Sequence, residues 1–333
     1  MSRPQEPHRP LFPFGNPFRM ISPKGLNLPS KLVAILNAFE RSLAERLRKL
    51  HPDGKDDILS LSWMKLAMEL LCETHSDVKT LIKELDLPVP DWNEKWIDVY
   101  LDISVKLLDV CNAVSSELSH LNQCNLMLRC ITHNLDSAES KRLMRARTSL
   151  DEWRQNISTT NSRIKNCCVI LDSLIESLDL PKVKNSAKGK VLMRALYGVK
   201  VQTVFVCSVF ASAFLGSPKL FDLNIADTYS WGQTFSYLQT NVNSEIRSIY
   251  TNGKFTPLKE LEAIDQCVGH LHQLIPENPE AAEVKPLKNT ISELGAKAEK
   301  LSEGLHLLTK EVDSFFQIVL AGRDALLSNL RGC

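Results

Sequence analysis

Apolar side chains recur along this chain in steps of three and four, the spacing that lines one face of an α-helix. Leu32 to Leu50 forms a first amphipathic stretch, closed by the turn signal His51-Pro52-Asp53-Gly54. Leu59, Trp63, Leu66, Leu70, Val78, Ile82 and Leu85 form a second, which stops at Pro88 and Pro90. A third and longer run leads from Trp96 through Val110 and Leu121 to Ile131. The fourth is the most regular: Leu143, Ala146, Leu150, Trp153, Ile157, Thr160, Ile164, Cys167, Leu171, Leu174 and Leu178 alternate threes and fours, with only Thr160 polar. It predicts one uninterrupted helix, on the order of 50 Å long, ended by Pro181. The C-terminal run from Leu287 to Leu326 matches it, and only Gly322 breaks its apolar series. Between the two lie a run from Trp231 to Ile249 and a helix from Pro257 to Ile275, with Thr256 as N-cap and proline at the first helical position.

No strand-like alternation and no tandem repeat accompanies these patterns. Heptad-patterned helices joined by short connections predict an all-α fold, an antiparallel multi-helix bundle, with 143–178 and 287–326 antiparallel and covering each other's stripes. A homodimer seam would use the same stripes. The expected organisation is a Pro/Phe-rich basic arm over 1–30 and a single helical bundle domain over 31–333. Within that domain lie a basic linker at 181–190, an apolar helix at 191–215 and a Pro-rich linker at 276–286.

One segment has two readings. No charge occurs from Val201 to Pro218, whereas Lys182, Lys184, Lys188, Lys190, Arg194 and Lys200 precede it. A membrane span with a basic cytoplasmic flank has this pattern. The stretch is short for a span, and Gln202, Thr203, Ser208 and Ser212 weaken insertion. A span would also part the two long heptad helices. A central buried helix is the preferred reading, and membrane contact through 191–215 the alternative. Lys182, Lys184, Lys188, Lys190 and Arg194 are the candidates for contact with an anionic surface.

Composition narrows the class. In 333 residues, 40 Lys and Arg face 39 Asp and Glu. So even a balance gives no global attraction to nucleic acid, and none is expected as a partner. The nine cysteines are odd in number and lie mostly within helical patterns, which points to reduced core thiols and a cytoplasmic compartment. The arm sets Arg3, Arg9, Arg19 and Lys24 against Glu6 alone. That is mildly transit-like and keeps a plastid location as the alternative. The other reading of the arm docks Phe12, Phe14 and Phe18 on the folded body.

Catalytic chemistry has little to stand on. The chain lacks the phosphate-binding glycine loops, the nucleophile elbow, the zinc-protease helix and CxxC. His120 with Cys124, Cys130 with His133, and Cys267 with His270 and His272 are the nearest approaches to metal-ligand spacing. A straight helix cannot bring the first two pairs to one ion. No catalytic residue, cofactor or metal is therefore expected, and the chain reads as non-enzymatic. Ser22 and Ser217, each followed by Pro-Lys, are candidate phosphorylation sites.

Several stretches form an ordered set: Phe12-Pro13-Phe14-Gly15-Asn16-Pro17-Phe18-Arg19-Met20, Leu61-Ser62-Trp63-Met64, and Cys72-Glu73-Thr74-His75. Then come Trp96-Ile97-Asp98-Val99-Tyr100-Leu101-Asp102-Ile103-Ser104, Leu180-Pro181-Lys182-Val183-Lys184-Asn185, and Gly189-Lys190-Val191-Leu192-Met193. Tyr197-Gly198-Val199-Lys200-Val201-Gln202-Thr203 completes it. In this order they resemble the plant BYPASS family, within the wider ROH-like group, along essentially the whole chain. The resemblance implies a developmental regulator that restrains a root-derived, carotenoid-linked mobile signal able to arrest shoot growth. It implies no known reaction and carries over no catalytic residue. Protein partners of unknown identity are expected. The second hypothesis is a membrane-associated adaptor in vesicle traffic or signalling, anchored through 182–215.

Overall fold

The computed structural model describes residues 28–52, 54, 58–85, 95–135, 140–159, 161–179, 183, 186–215, 220–251, 258–275 and 284–331. Within these residues the chain forms nine helices and no strand. They are α1 (Ser30–Lys49), α2 (Leu61–Glu84), α3 (Lys95–Leu135), α4 (Ser140–Ser158), α5 (Ser162–Glu176), α6 (Ala187–Leu215), α7 (Gly232–Thr251), α8 (Lys259–Leu274) and α9 (Val284–Arg331). The all-α bundle expected from the periodicity is what forms.

Local chemistry sets the ends. Arg46, Arg48 and Lys49 occupy the last turn of α1, where cations meet the negative end of the helix dipole. Ser60 caps α2 by accepting from Trp63 N at 3.2 Å, and the Trp63 indole donates to Leu50 O at 3.0 Å. The α1–α2 corner is thus closed from both sides. The predicted cap Thr256 lies outside the described residues, and α8 begins at Lys259 with Leu258 as a cap lacking a side-chain bond. Its Glu260 instead reaches α2, accepting from Leu61 N at 3.0 Å.

The two longest helices, α3 with 41 residues and α9 with 48, form the spine. Arg323 of α9 donates to Leu101 O and Ser104 Oγ of α3 at 3.0 and 3.2 Å, while Arg129 pairs with Glu299 toward the other end. These pairs fix an antiparallel crossing.

Two expectations about the heptad runs need correction. The run 143–178 is not one helix. It breaks between α4 and α5, where Ser158 and Thr159 hydroxyls turn back onto Arg154 O and Gln155 O. Asn161 then starts α5 by accepting from Arg163 N at 2.9 Å. Polar side chains that compete for backbone groups end a helix even when the apolar spacing runs on. Nor do 143–178 and 287–326 cover each other. Asn156 meets Met127 and Asn161 meets Ser116, so α4 and α5 run antiparallel to α3, as α9 does. The two stripes therefore run parallel, each packed on α3. Both are buried as expected, with Leu150, Trp153, Leu171, Leu294, Leu305 and Leu308 all at 0% exposure.

The linker boundaries also shift. Helix α6 takes in the last residues of 181–190, started by Ser186 Oγ, which accepts from Gly189 N at 3.0 Å. Helix α9 takes in the end of 276–286, with Pro286 in its first turn, where its missing N–H is harmless.

Helix α6 is long and apolar enough to cross a membrane by length and composition, yet 89% of its apolar window is buried inside the bundle. It packs against α1, α2, α3 and α5. Phe205 meets Phe235 of α7 edge-on at 5.4 Å, and Phe210 meets Phe214 at 6.3 Å. Gly198 permits the approach to α1, since a Cβ there would lie 2.7 Å from Leu43 and 3.3 Å from the Trp231 ring. The segment's hydroxyls are answered locally: Ser208 donates to Phe205 O and Thr203 to Val199 O, each at 2.7 Å.

Candidate functional site

A cavity of about 410 Å³ opens between α2, α3, α6 and α9, with Leu174 of α5 in its wall. Val78, Ile82, Ile103, Leu107, Val199 and Val204 give it an apolar surface. Gly322 belongs to the same wall. A Cβ at this position would sit 2.5 Å from the Tyr100 hydroxyl, so the one gap in the C-terminal heptad series makes room for that ring.

Polar groups enter at a few points. Thr203 gives its hydroxyl proton to Val199 O, so the 3.1 Å bond to His75 requires a donating Nε2–H on the imidazole. The His75 ring also meets Phe315 edge-on at 4.9 Å. Burial disfavours the imidazolium and lowers the His75 pKa to about 4. Lys200 donates to Ser177 O and, at 3.1 Å, to Ser177 Oγ, closing the C-terminus of α5 with a cation. Burial, reinforced by nearby Lys106, lowers its pKa to about 8. Lys79 and Lys83, one turn apart on α2, are exposed at the rim with Ala321 and Ala325 of α9. Among the described residues, no Asp or Glu lines the cavity. Such an arrangement holds an apolar body and attracts negative charge.

The candidate residues of the sequence lie elsewhere. Arg194 is not available to an anionic surface, which corrects its place in the basic set. It is turned inward, with Nε 2.5 Å from Glu40 Oε1, NH2 donating to Thr228 O, and its guanidinium 4.6 Å from the Tyr229 ring centre. Glu40 also accepts from Ser230 N and Oγ at 3.2 and 2.8 Å. Lys188 and Lys190 are half-buried in the first turn of α6. Lys182, Lys184, Ser22 and Ser217 lie outside the described residues.

The histidine–cysteine pairs stay apart. His120 Nε2 lies 3.6 Å from Cys124 Sγ, and its Nδ1 3.3 Å from Glu117, while Cys130 and His133 are exposed further along α3. Cys267 faces Lys297 Nζ at 3.1 Å, and His272 turns to Asp151 of α4. Among the described residues no group of three or more His, Cys, Asp or Glu side chains could hold a metal ion. Burial raises the thiols of Cys72, Cys111 and Cys167 to about 12, which leaves them inert as nucleophiles.

The cavity is not legible in the sequence, because its walls come from five separate helices. The only signals were indirect. His75, Tyr100, Ser104, Lys200 and Thr203 all fall in the stretches that carry the family resemblance, and Gly322 interrupts a heptad stripe.

These features define an all-helical protein with a buried apolar central helix and an apolar cavity beside it. The ROH1-like family matches over residues 30–158. Protein BPS1, chloroplastic, of Arabidopsis thaliana is 53% identical across 99% of this chain and 93% of its own length. UPF0496 protein 4 of Oryza sativa subsp. japonica is 44% identical across 88% of this chain, which spans 65% of that protein. Protein ROH1D of Arabidopsis thaliana is 19% identical over 88% of both chains. No solved structure matches. The chain belongs to the BYPASS family of plant developmental proteins, within the ROH1-like group.

Proposed function

We propose that this protein is a non-enzymatic regulator of root and shoot development, which restrains production of a root-derived, carotenoid-linked mobile signal that arrests shoot growth. The observation that carries this reading is the near full-length similarity to BPS1. A bundle that spends its heptad surfaces on its own core acts on other proteins through its remaining faces. The relative's name says chloroplastic, which supports a plastid location for this chain over the cytoplasmic one. The buried state of α6 supports a bundle core over a membrane anchor at 182–215.

The test is replacement. The chain is expressed in plants lacking the BPS1 relative, and mutant and rescued roots are grafted to wild-type shoots. Restored shoot growth in the rescued grafts is expected. Continued arrest, with the protein present at normal abundance, refutes the proposal. A fluorescent fusion separates plastid from cytoplasm in the same plants.

A further inference from the structure

We propose that the cavity between α2, α3, α6 and α9 binds a small amphipathic molecule with an apolar body and one anionic end, of the long-chain monocarboxylate class. Size is the first argument. About 410 Å³ lies within the range of roughly 300–1,000 Å³ used for small-molecule sites and is too small for a folded partner segment. The wall chemistry is the second. Val78, Ile103, Leu107, Val199 and Val204 offer water no partners, so displacing it with hydrocarbon is favourable.

Charge supplies the head group. Among the described lining residues, every one charged at neutral pH is a lysine, and the nearest carboxylates, Asp102 and Asp179, act on Lys200 from outside the lining. Lys200 is committed to the end of α5 through Ser177. Lys79 and Lys83 remain at the mouth, one turn apart on α2, an arrangement that repels itself. An anion between them relieves that repulsion while its tail fills the cavity. His75 Nε2–H and the Thr203 hydroxyl are already engaged, with each other and with Val199 O, so neither is needed by the ligand. The site stands independently of the developmental role.

The experiment uses the full chain, stripped of lipid, with cis-parinaric acid and its methyl ester as fluorescent probes. The acid is expected to bind saturably, one per chain, and about tenfold more tightly than the ester, which corresponds to about 1.4 kcal/mol. Lys79→Glu with Lys83→Glu should remove the preference for the acid and leave ester binding and Tm unchanged, since both positions are exposed. Ala325→Trp at the rim should abolish binding of both probes, and Ala321→Trp serves if that variant does not fold. Equal affinity for acid and ester, unaffected by the lysine reversal, overturns the anionic assignment. Non-saturable binding, or binding that survives both tryptophans, overturns the site itself.

Discussion

His75 is a histidine kept neutral by burial, and this fixes the sign of one pH effect. Its pKa is about 4 in the folded chain and 6.5 as the ordinary value. Between those limits the unfolded chain binds a proton that the folded chain does not, so stability falls as pH drops through this window. The loss from pH 7 to pH 5 is about 2 kcal/mol. His75→Phe should flatten this part of the profile in urea melts at the two pH values. Lys200 works in the same sense at higher pH. Its folded pKa of about 8 lies below the ordinary 10.5, so stability rises with pH between them. A second residue-scale prediction concerns Glu40 and Arg194, whose side chains are 3% and 10% exposed. Glu40→Gln strands a buried guanidinium and should cost about 3–5 kcal/mol. Glu40→Leu with Arg194→Met should cost much less in the same melts, because no charge is left unpaired.

At the scale of elements, the break between α4 and α5 is the informative feature. Asn161 accepts from Arg163 N and donates to Ser116 of α3, so it both starts α5 and ties it to the spine. Asn161→Ala should lower stability by about 1 kcal/mol, read as a shift in the urea midpoint at constant slope. The apolar stripe from Leu143 to Leu178 was legible and its burial followed. The break was less so, because the heptad count passes through Thr160 without a fault. The signal lay in Ser158, Thr159 and Asn161, whose side chains bid for backbone groups. The start of α6 differs from the sequence pattern for a related reason: the basic run puts Lys188 and Lys190 in a linker, but Ser186 caps a helix that includes them.

For the whole molecule, α6 decides between a bundle core and a membrane element, since one apolar surface cannot be buried in both. Phe210 is 1% exposed. Phe210→Asp places an unpaired carboxylate in the core and should unfold the protein, seen as loss of the cooperative thermal transition. The wild type should be released by carbonate extraction. A wild type that resists carbonate, with a folded and soluble Asp variant, would make α6 an anchor instead.

The chain's own pattern determined that it is helical and which faces are apolar. It also determined that Leu305 and Leu171 are buried, because three-four spacing and burial are properties of single helices. Which stripe meets which was decided only by tertiary structure. Leu150 and Leu305 have the same local pattern, and nothing in either says that both helices lie against α3. The cavity belongs to that second kind of information. Tyr100, His75, Lys200 and Gly322 are far apart in sequence and ordinary in their own helices. They share a wall only because α3 and α9 cross antiparallel, and because α2 and α6 pack beside them, leaving a space that their side chains do not fill.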